Sequence, residues 1–218
     1  MNASGDRTAG LARNGTDGVY RRGFKRVLDV ALVVFAAPFI VVVVGLLAGV
    51  VALNGGHPFY AQDRVGHGGK VFRMWKLRSM VVGAEAKLQA HLASDPAARQ
   101  EWDSTQKLKS DPRITAAGRI LRRTSLDELP QLWNVLTGDM SLVGPRPMMP
   151  GQQVLYPGLA YYRLRPGLTG PWQVSERNQS TFAMRASYDR HYDQTLSFVT
   201  DVRLLVQTIR VVARATGC

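Results

Sequence analysis

The segment Leu121 to Asn134, LRRTSLDELPQLWN, carries two adjacent carboxylates, Asp127 and Glu128, just behind the cations Arg113, Arg119, Arg122 and Arg123. Arg146 follows in a rigid Pro145-Arg146-Pro147 frame suited to holding an oxyanion. A carboxylate attacks phosphorus only when its repulsion from the phosphate oxygens is offset, which calls for arginines, backbone N–H groups and a divalent cation. The chemistry these residues suit is phosphoryl transfer through an acyl phosphate on Asp127, leaving Glu128 to bind a metal or orient a second phosphate. A plainer account also fits. Ser125 and Glu128 have capping-box spacing, which places both carboxylates, ionised, in a first helical turn that they would stabilise.

These side chains need elements to hold them. From Ile114 to Val143 the pattern is helical, broken near Thr124 and Ser125 and again at Thr137 to Asp139. After the turn cluster Asn54 to Pro58, the stretches FYAQDRVG and KVFRMWKLRSM have β-like or mixed character. Residues 83 to about 106 read as polar helix interrupted at Asp95 and Pro96, a surface helical hairpin or a mobile excursion. The Pro and Gly density of GPRPMMP and RLRPGLTGPWQV requires loops. The last element, Leu196 to Ala215, sets Phe198, Val202, Leu205, Ile209 and Val212 on one helical face and Arg203, Arg210 and Arg214 elsewhere. Such a helix either docks on the core or lies in a lipid interface.

Val30 to Leu53 is a run of 24 residues without a charged or strongly polar side chain. As a helix it would reach about 36 Å, against a hydrocarbon core roughly 30 Å thick. A buried soluble helix is rarely apolar on all faces over such a length. A twin-arginine leader, suggested by YRRGFKR, would have a shorter apolar core. Arg21, Arg22, Lys25 and Arg26 precede the run, and Arg64, Lys70, Arg73, Lys76 and Arg78 follow it, which assigns both ends to the cytoplasmic side. Pro38 lies inside, so a re-entrant hairpin bent there and a straight, kinked span both fit the residues.

Composition narrows the classes further. A net charge of +12 favours anionic partners, but nucleic-acid binding alone leaves the apolar run unaccounted for. A noncatalytic membrane scaffold leaves the acidic pair beside the Pro-Arg-Pro frame without a reason. The single cysteine, Cys218, cannot form an intrachain disulfide. His57, His67, His91 and His191 lack metal-ligand spacing, and Gly66, Gly68 and Gly69 fall short of a nucleotide fingerprint. The four tryptophans suit core or interfacial positions.

Nearly everything from residue 24 onward resembles the bacterial sugar transferases, monotopic polyprenyl-phosphate phosphoglycosyl transferases. The matching stretches include KRVLDVA, FYAQDRVG, MWKLRSM, SLDELPQLWNVLTGDMSLVGPRP, RPGLTGPWQVSERN and SYDRHYDQTLSFVTDVRLLVQT. The resemblance implies an α/β, helix-dominated fold: a flexible tail over 1–20, a re-entrant membrane segment over 21–56 and a cytosolic catalytic domain over 57–218 with amphipathic interfacial helices. It implies transfer of a hexose 1-phosphate from a UDP-sugar to polyprenyl (undecaprenyl) phosphate, initiating glycan or exopolysaccharide assembly on the cytosolic face of the inner membrane, with the bilayer rather than nucleic acid as partner. It makes Asp127 the nucleophile, puts Glu128 near Mg2+, sets Lys76, Arg122, Pro145 and Arg146 around the phosphates, and makes Pro38 the break of the hairpin. Pro171 and Glu176 depart from the family pattern near the expected sugar nucleotide, which bears on sugar preference. Larger relatives carry an N-terminal membrane region; the chain is expected to comprise the catalytic core alone.

Overall fold

The computed structural model describes residues 18–105, 108–175 and 182–213. Residues 1–17 of the expected tail, together with Glu176, Arg214 and Cys218, lie outside the described residues. A π-helical turn, Tyr20–Phe24, leads into α1, Lys25–Ala52. Helix α1 runs through Pro38 as one continuous element, so the helix-break-helix expected there is not an interruption of helical structure. One missing backbone donor at Pro38 does not by itself end a helix of this length.

Most of α1 faces outward with apolar side chains: Phe35 is 88% exposed, Phe39 75% and Leu46 69%. Yet both of its ends are held by the same globular body. At the start, the Tyr20 hydroxyl and Lys25 Nζ bond to Asp201 at 2.7 and 2.5 Å, and Asp29 accepts from Ser141 Oγ at 2.6 Å. At the finish, Val51 packs with Leu77 and Leu121, and Arg78 donates to the carbonyls of Val51 and Gly55.

Strands β1 (Phe59–Val65) and β2 (Val71–Leu77) form an antiparallel hairpin, paired from Phe59↔Leu77 to Val65↔Val71. Helices α2 (Ala84–Ser94) and α3 (Pro96–Thr105) are the expected hairpin, interrupted at Asp95. Helix α4 (Ala116–Thr124), a 3-10 turn Leu126–Glu128 and α5 (Gln131–Thr137) follow, with breaks where the sequence put them. Ser141–Val143, expected at the tail of the helical region, is instead strand β3, because it finds a parallel partner in β4 (Gly167–Thr169). Short α6 (Pro171–Val174), then α7 (Arg185–Thr195) and α8 (Phe198–Ala213), complete the chain.

The core divides into packed clusters. Val33 of α1 joins Phe72, Met74, Leu132, Val135 and Met140, tying the apolar helix to β2 and α5. In α8 the buried stripe carries Asp201 and Leu204, while Phe198, Val202, Ile209 and Val212 stay exposed; of the expected face Leu205 packs on the core and Phe198 meets the Tyr20 ring edge-on. Asp201 explains the rotation of the helix: it accepts from Tyr20, Lys25 and the Tyr192 hydroxyl, and a buried carboxylate needs that company.

Candidate active site

Asp127 is 8% exposed and sits on the 3-10 turn between α4 and α5. The expected capping box does not form. Ser125 adopts the left-handed conformation (φ 57°) that ends α4, its N–H bonding back to Arg122, and its side chain makes no cap bond. This conformation costs a non-glycine residue about 1–2 kcal/mol, and it turns the chain sharply enough to bring the acidic pair back against β2.

Three elements converge there. From β2, Lys76 Nζ lies 2.8 Å from Glu128 Oε1. From α4, Arg122 donates through Nε to Ser79 Oγ at 2.8 Å, just past the end of β2. Burial pushes the Asp127 carboxyl above the usual carboxylate range; Lys76 opposes that, Glu128 adds to it and Arg122 opposes it. Burial likewise lowers Arg122, with Asp127 holding it up. Of the two acids, Asp127 is the buried one, and Lys76 and Arg122 are the cations that favour its charged form.

Arg146 arrives by another route. Gly144 and Gly167 cross at backbone contact: a Cβ on Gly167 would lie 2.1 Å from Gly144 N, and one on Gly144 would lie 2.2 Å from Arg165 O. Gly167 N donates to the Pro145 carbonyl at 2.8 Å, pinning the Pro-Arg-Pro frame to β4. Arg146 then stands with its Cζ 5.6 Å from the Trp172 ring centroid and lines a cleft with Lys76, Glu128, Arg64, Gln131 and Pro147. Asp127 and Arg122 are not among the side chains lining that cleft; Asp127 is beside it, in the turn that carries Glu128.

The other expected cations separate. Arg113 is buried in a two-pronged pairing with Asp111 (Nε–Oδ1 2.9 Å, Nη2–Oδ2 2.7 Å) and serves the fold, while Arg119 and Arg123 are exposed. Arg146 also borders a second, aromatic cavity with Tyr156, Trp172, Phe182, Arg185 and Asp189. There Tyr156 donates to Asp189 at 2.8 Å, and burial pushes the Asp189 carboxyl up to about 7. The sequence marked Arg64 only as a basic flank of the apolar run and gave no role to Gln131, Arg185 or Asp189. The i, i+4 spacing of Arg185 and Asp189 was the available signal.

Among the described residues, no group of three or more His, Cys, Asp or Glu side chains is gathered as a metal cage. Magnesium typically uses one or two carboxylates and completes its shell with waters and substrate phosphates, and the partly exposed Glu128 carboxylate fits that manner of binding.

Residues 20–215 match the family model described as bacterial sugar transferase. The exopolysaccharide production protein ExoY of Sinorhizobium fredii is 41% identical over 202 residues, covering 92% of this chain and 88% of the relative. The undecaprenyl-phosphate galactose phosphotransferase of Salmonella typhimurium is 44% identical over 90% of this chain, which spans 41% of that longer protein. The UDP-glucose:undecaprenyl-phosphate glucose-1-phosphate transferase of Caulobacter vibrioides is 37% identical, over 85% of this chain and 68% of its own length. The family match and these relatives place the helix-rich α/β domain, with its acidic turn framed by Lys and Arg, among the phosphoglycosyl transferases. The chain belongs to the bacterial sugar transferase family.

Proposed function

We propose that this chain transfers a hexose 1-phosphate from a UDP-sugar to polyprenyl phosphate, with Asp127 as the covalent carrier. The observation that carries the reading is the Asp127 carboxyl, buried beside the Lys76–Glu128 ion pair and within the field of Arg122. A carboxylate Oδ attacks the sugar-side phosphorus; the Asp–phosphorus bond forms as the bond to the bridging oxygen breaks, and UMP leaves with that electron pair. A phosphate oxygen of the polyprenyl phosphate then attacks the same phosphorus and releases Asp127 as carboxylate. Lys76 and Arg122 keep the nucleophile charged before attack and offset the oxygens it approaches. Glu128 would hold a magnesium ion, which supplies charge neutralisation to the phosphates when bound.

The names of these relatives support the donor and acceptor classes, and they differ in the hexose named. The product lipid would begin a glycan or exopolysaccharide. For the site of action, the reading is a re-entrant α1 that dips its exposed apolar face into the cytosolic leaflet of the inner membrane. Both ends of α1 on one domain and basic residues on both flanks support it.

The test is a panel of UDP-sugars with polyprenyl phosphate and magnesium, reading UMP, glycolipid and the intact mass of protein incubated with donor alone. The expected result is UMP release and a hexose-phosphate adduct on the peptide bearing Asp127, both lost in a folded Asp127→Asn protein. Retained turnover in that variant would remove the covalent step.

A further inference from the structure

Buried side-chain donors that lack a partner include Arg64 Nε, Gln131 Nε2 and Arg185 Nε. All three residues line one of the two cavities that meet at Arg146. Buried donors are almost always satisfied, and three orphans around one junction call for an acceptor that arrives from outside.

The charges there point to what that acceptor is. Arg185 Cζ stands 4.1 Å from the Trp172 ring centroid and Arg146 Cζ 5.6 Å from the same ring, so two guanidinium groups share one indole. Arg64 lines the cleft with Arg146; its two terminal nitrogens donate to the Pro147 carbonyl and Gln62 Oε1, which fixes the side chain without neutralising it. Arg64 and Arg185 are each held below the ordinary arginine value, first by burial and then by the Arg146 charge. Facing these three cations are Asp189, bonded to Tyr156, and Glu128, paired with Lys76. The cluster is cationic at rest, and an anion with several oxygens would satisfy its donors and relieve its repulsion.

We infer that Arg64 and Arg185 flank Arg146 as a second phosphate subsite, which holds the nucleotide-side phosphate of the donor, with the Gln131 carboxamide donating at its edge. The inference rests on the transfer reaction proposed above. Lys76 and Arg122 act around Asp127 and serve the phosphorus that is attacked. The subsite at the Arg146 junction then serves the phosphate that departs. As the bond from the sugar-side phosphorus to the bridging oxygen breaks, the electron pair stays with the UMP oxygen, and that growing charge lies where the guanidinium groups are. No other reactant is needed.

The probe is UMP itself, titrated calorimetrically into wild type and into Arg64→Gln, Arg185→Gln and Arg185→Lys, with steady-state kinetics for donor and acceptor run alongside. Wild-type UMP release tests the underlying reaction independently: if wild type releases no UMP from any UDP-sugar, the transfer reading falls, whatever the variants bind. Each Gln variant is expected to bind UMP about tenfold or more weakly, as loss of a charge-assisted contact requires, with the KM for polyprenyl phosphate unchanged. Arg185→Lys should recover part of the loss. An active wild type with folded Gln variants that bind UMP normally would overturn the subsite. So would a loss confined to the lipid acceptor, which would make the cluster the acceptor's site instead.

Discussion

Lys76 Nζ lies 2.8 Å from Glu128 Oε1, an ion pair that joins strand β2 to the turn bearing Asp127. The same ammonium group is the first influence opposing the burial that lifts the Asp127 carboxyl. Lys76→Gln therefore raises the Asp127 pKa further, so less of the nucleophile is ionised at any acidic pH. The acidic limb of the kcat/KM profile should move to higher pH, with activity at pH 6 falling about a hundredfold. An unshifted limb would separate Lys76 from the nucleophile.

Gly118 in α4 leaves room for the Ser79 carbonyl: a Cβ there would lie 1.9 Å from Ser79 O. Thr115 N also bonds that carbonyl, at 3.1 Å, so the backbone cannot easily retreat. Gly118→Ala should cost about 1–3 kcal/mol in denaturant unfolding. It should also lower kcat, because α4 carries Arg122 to Ser79.

Asn134, buried in α5, acts as a missing strand beside β2: its Oδ1 accepts from Trp75 N at 3.0 Å and its Nδ2 donates to the Arg73 carbonyl at 2.8 Å. Asn134→Leu leaves both backbone groups unpaired. A loss of about 2–4 kcal/mol is expected by chemical denaturation, and one under 0.5 kcal/mol would contradict this role.

Burial pushes Asp189 up to about 7, while the Tyr156 bond and the Arg185 charge act in the opposite direction. The folded protein therefore holds this proton more tightly than the unfolded chain does. That contribution is complete below the ordinary carboxylate value and is lost as pH rises through about 7. Wild type should lose Tm more steeply than Asp189→Asn between pH 4 and 8 in the same buffer series. Parallel curves would refute the assignment.

Cysteines at Gly23→Cys and Asn54→Cys, in a chain carrying Cys218→Ser, report the topology of α1. A membrane-impermeant maleimide should label both from the cytosolic face of vesicles. Labelling from opposite faces would establish a straight span and exclude the re-entrant reading.

How much of this was legible beforehand depended on the range of the interactions. The β character around β1 and β2, the helical segments at residues 83–106, the apolar helix and its basic flanks follow from local patterning, which one segment of chain contains in full. Asp127, Glu128, Arg122 and Arg146 were named from residue type and spacing and Lys76 from the family resemblance, and three of the five line one cleft while the other two stand beside it. The Ser125 capping box failed because the same residue had to end α4, a choice that local spacing does not record. Strand β3 needed β4, 26 residues away in the register Ser141↔Gly167, before it could be a strand.

By itself the sequence determined most of the elements, the apolar run with its basic flanks and the acidic pair, because period, charge and motif are properties of short stretches. Tertiary structure alone decided that both ends of α1 return to one domain, that α8 turns Asp201 inward and its apolar side outward, and that Arg64, Arg146 and Arg185 meet. Those outcomes depend on long-range pairing of buried charges and on backbone crossings at Gly144 and Gly167, whose energies exist only once distant segments touch.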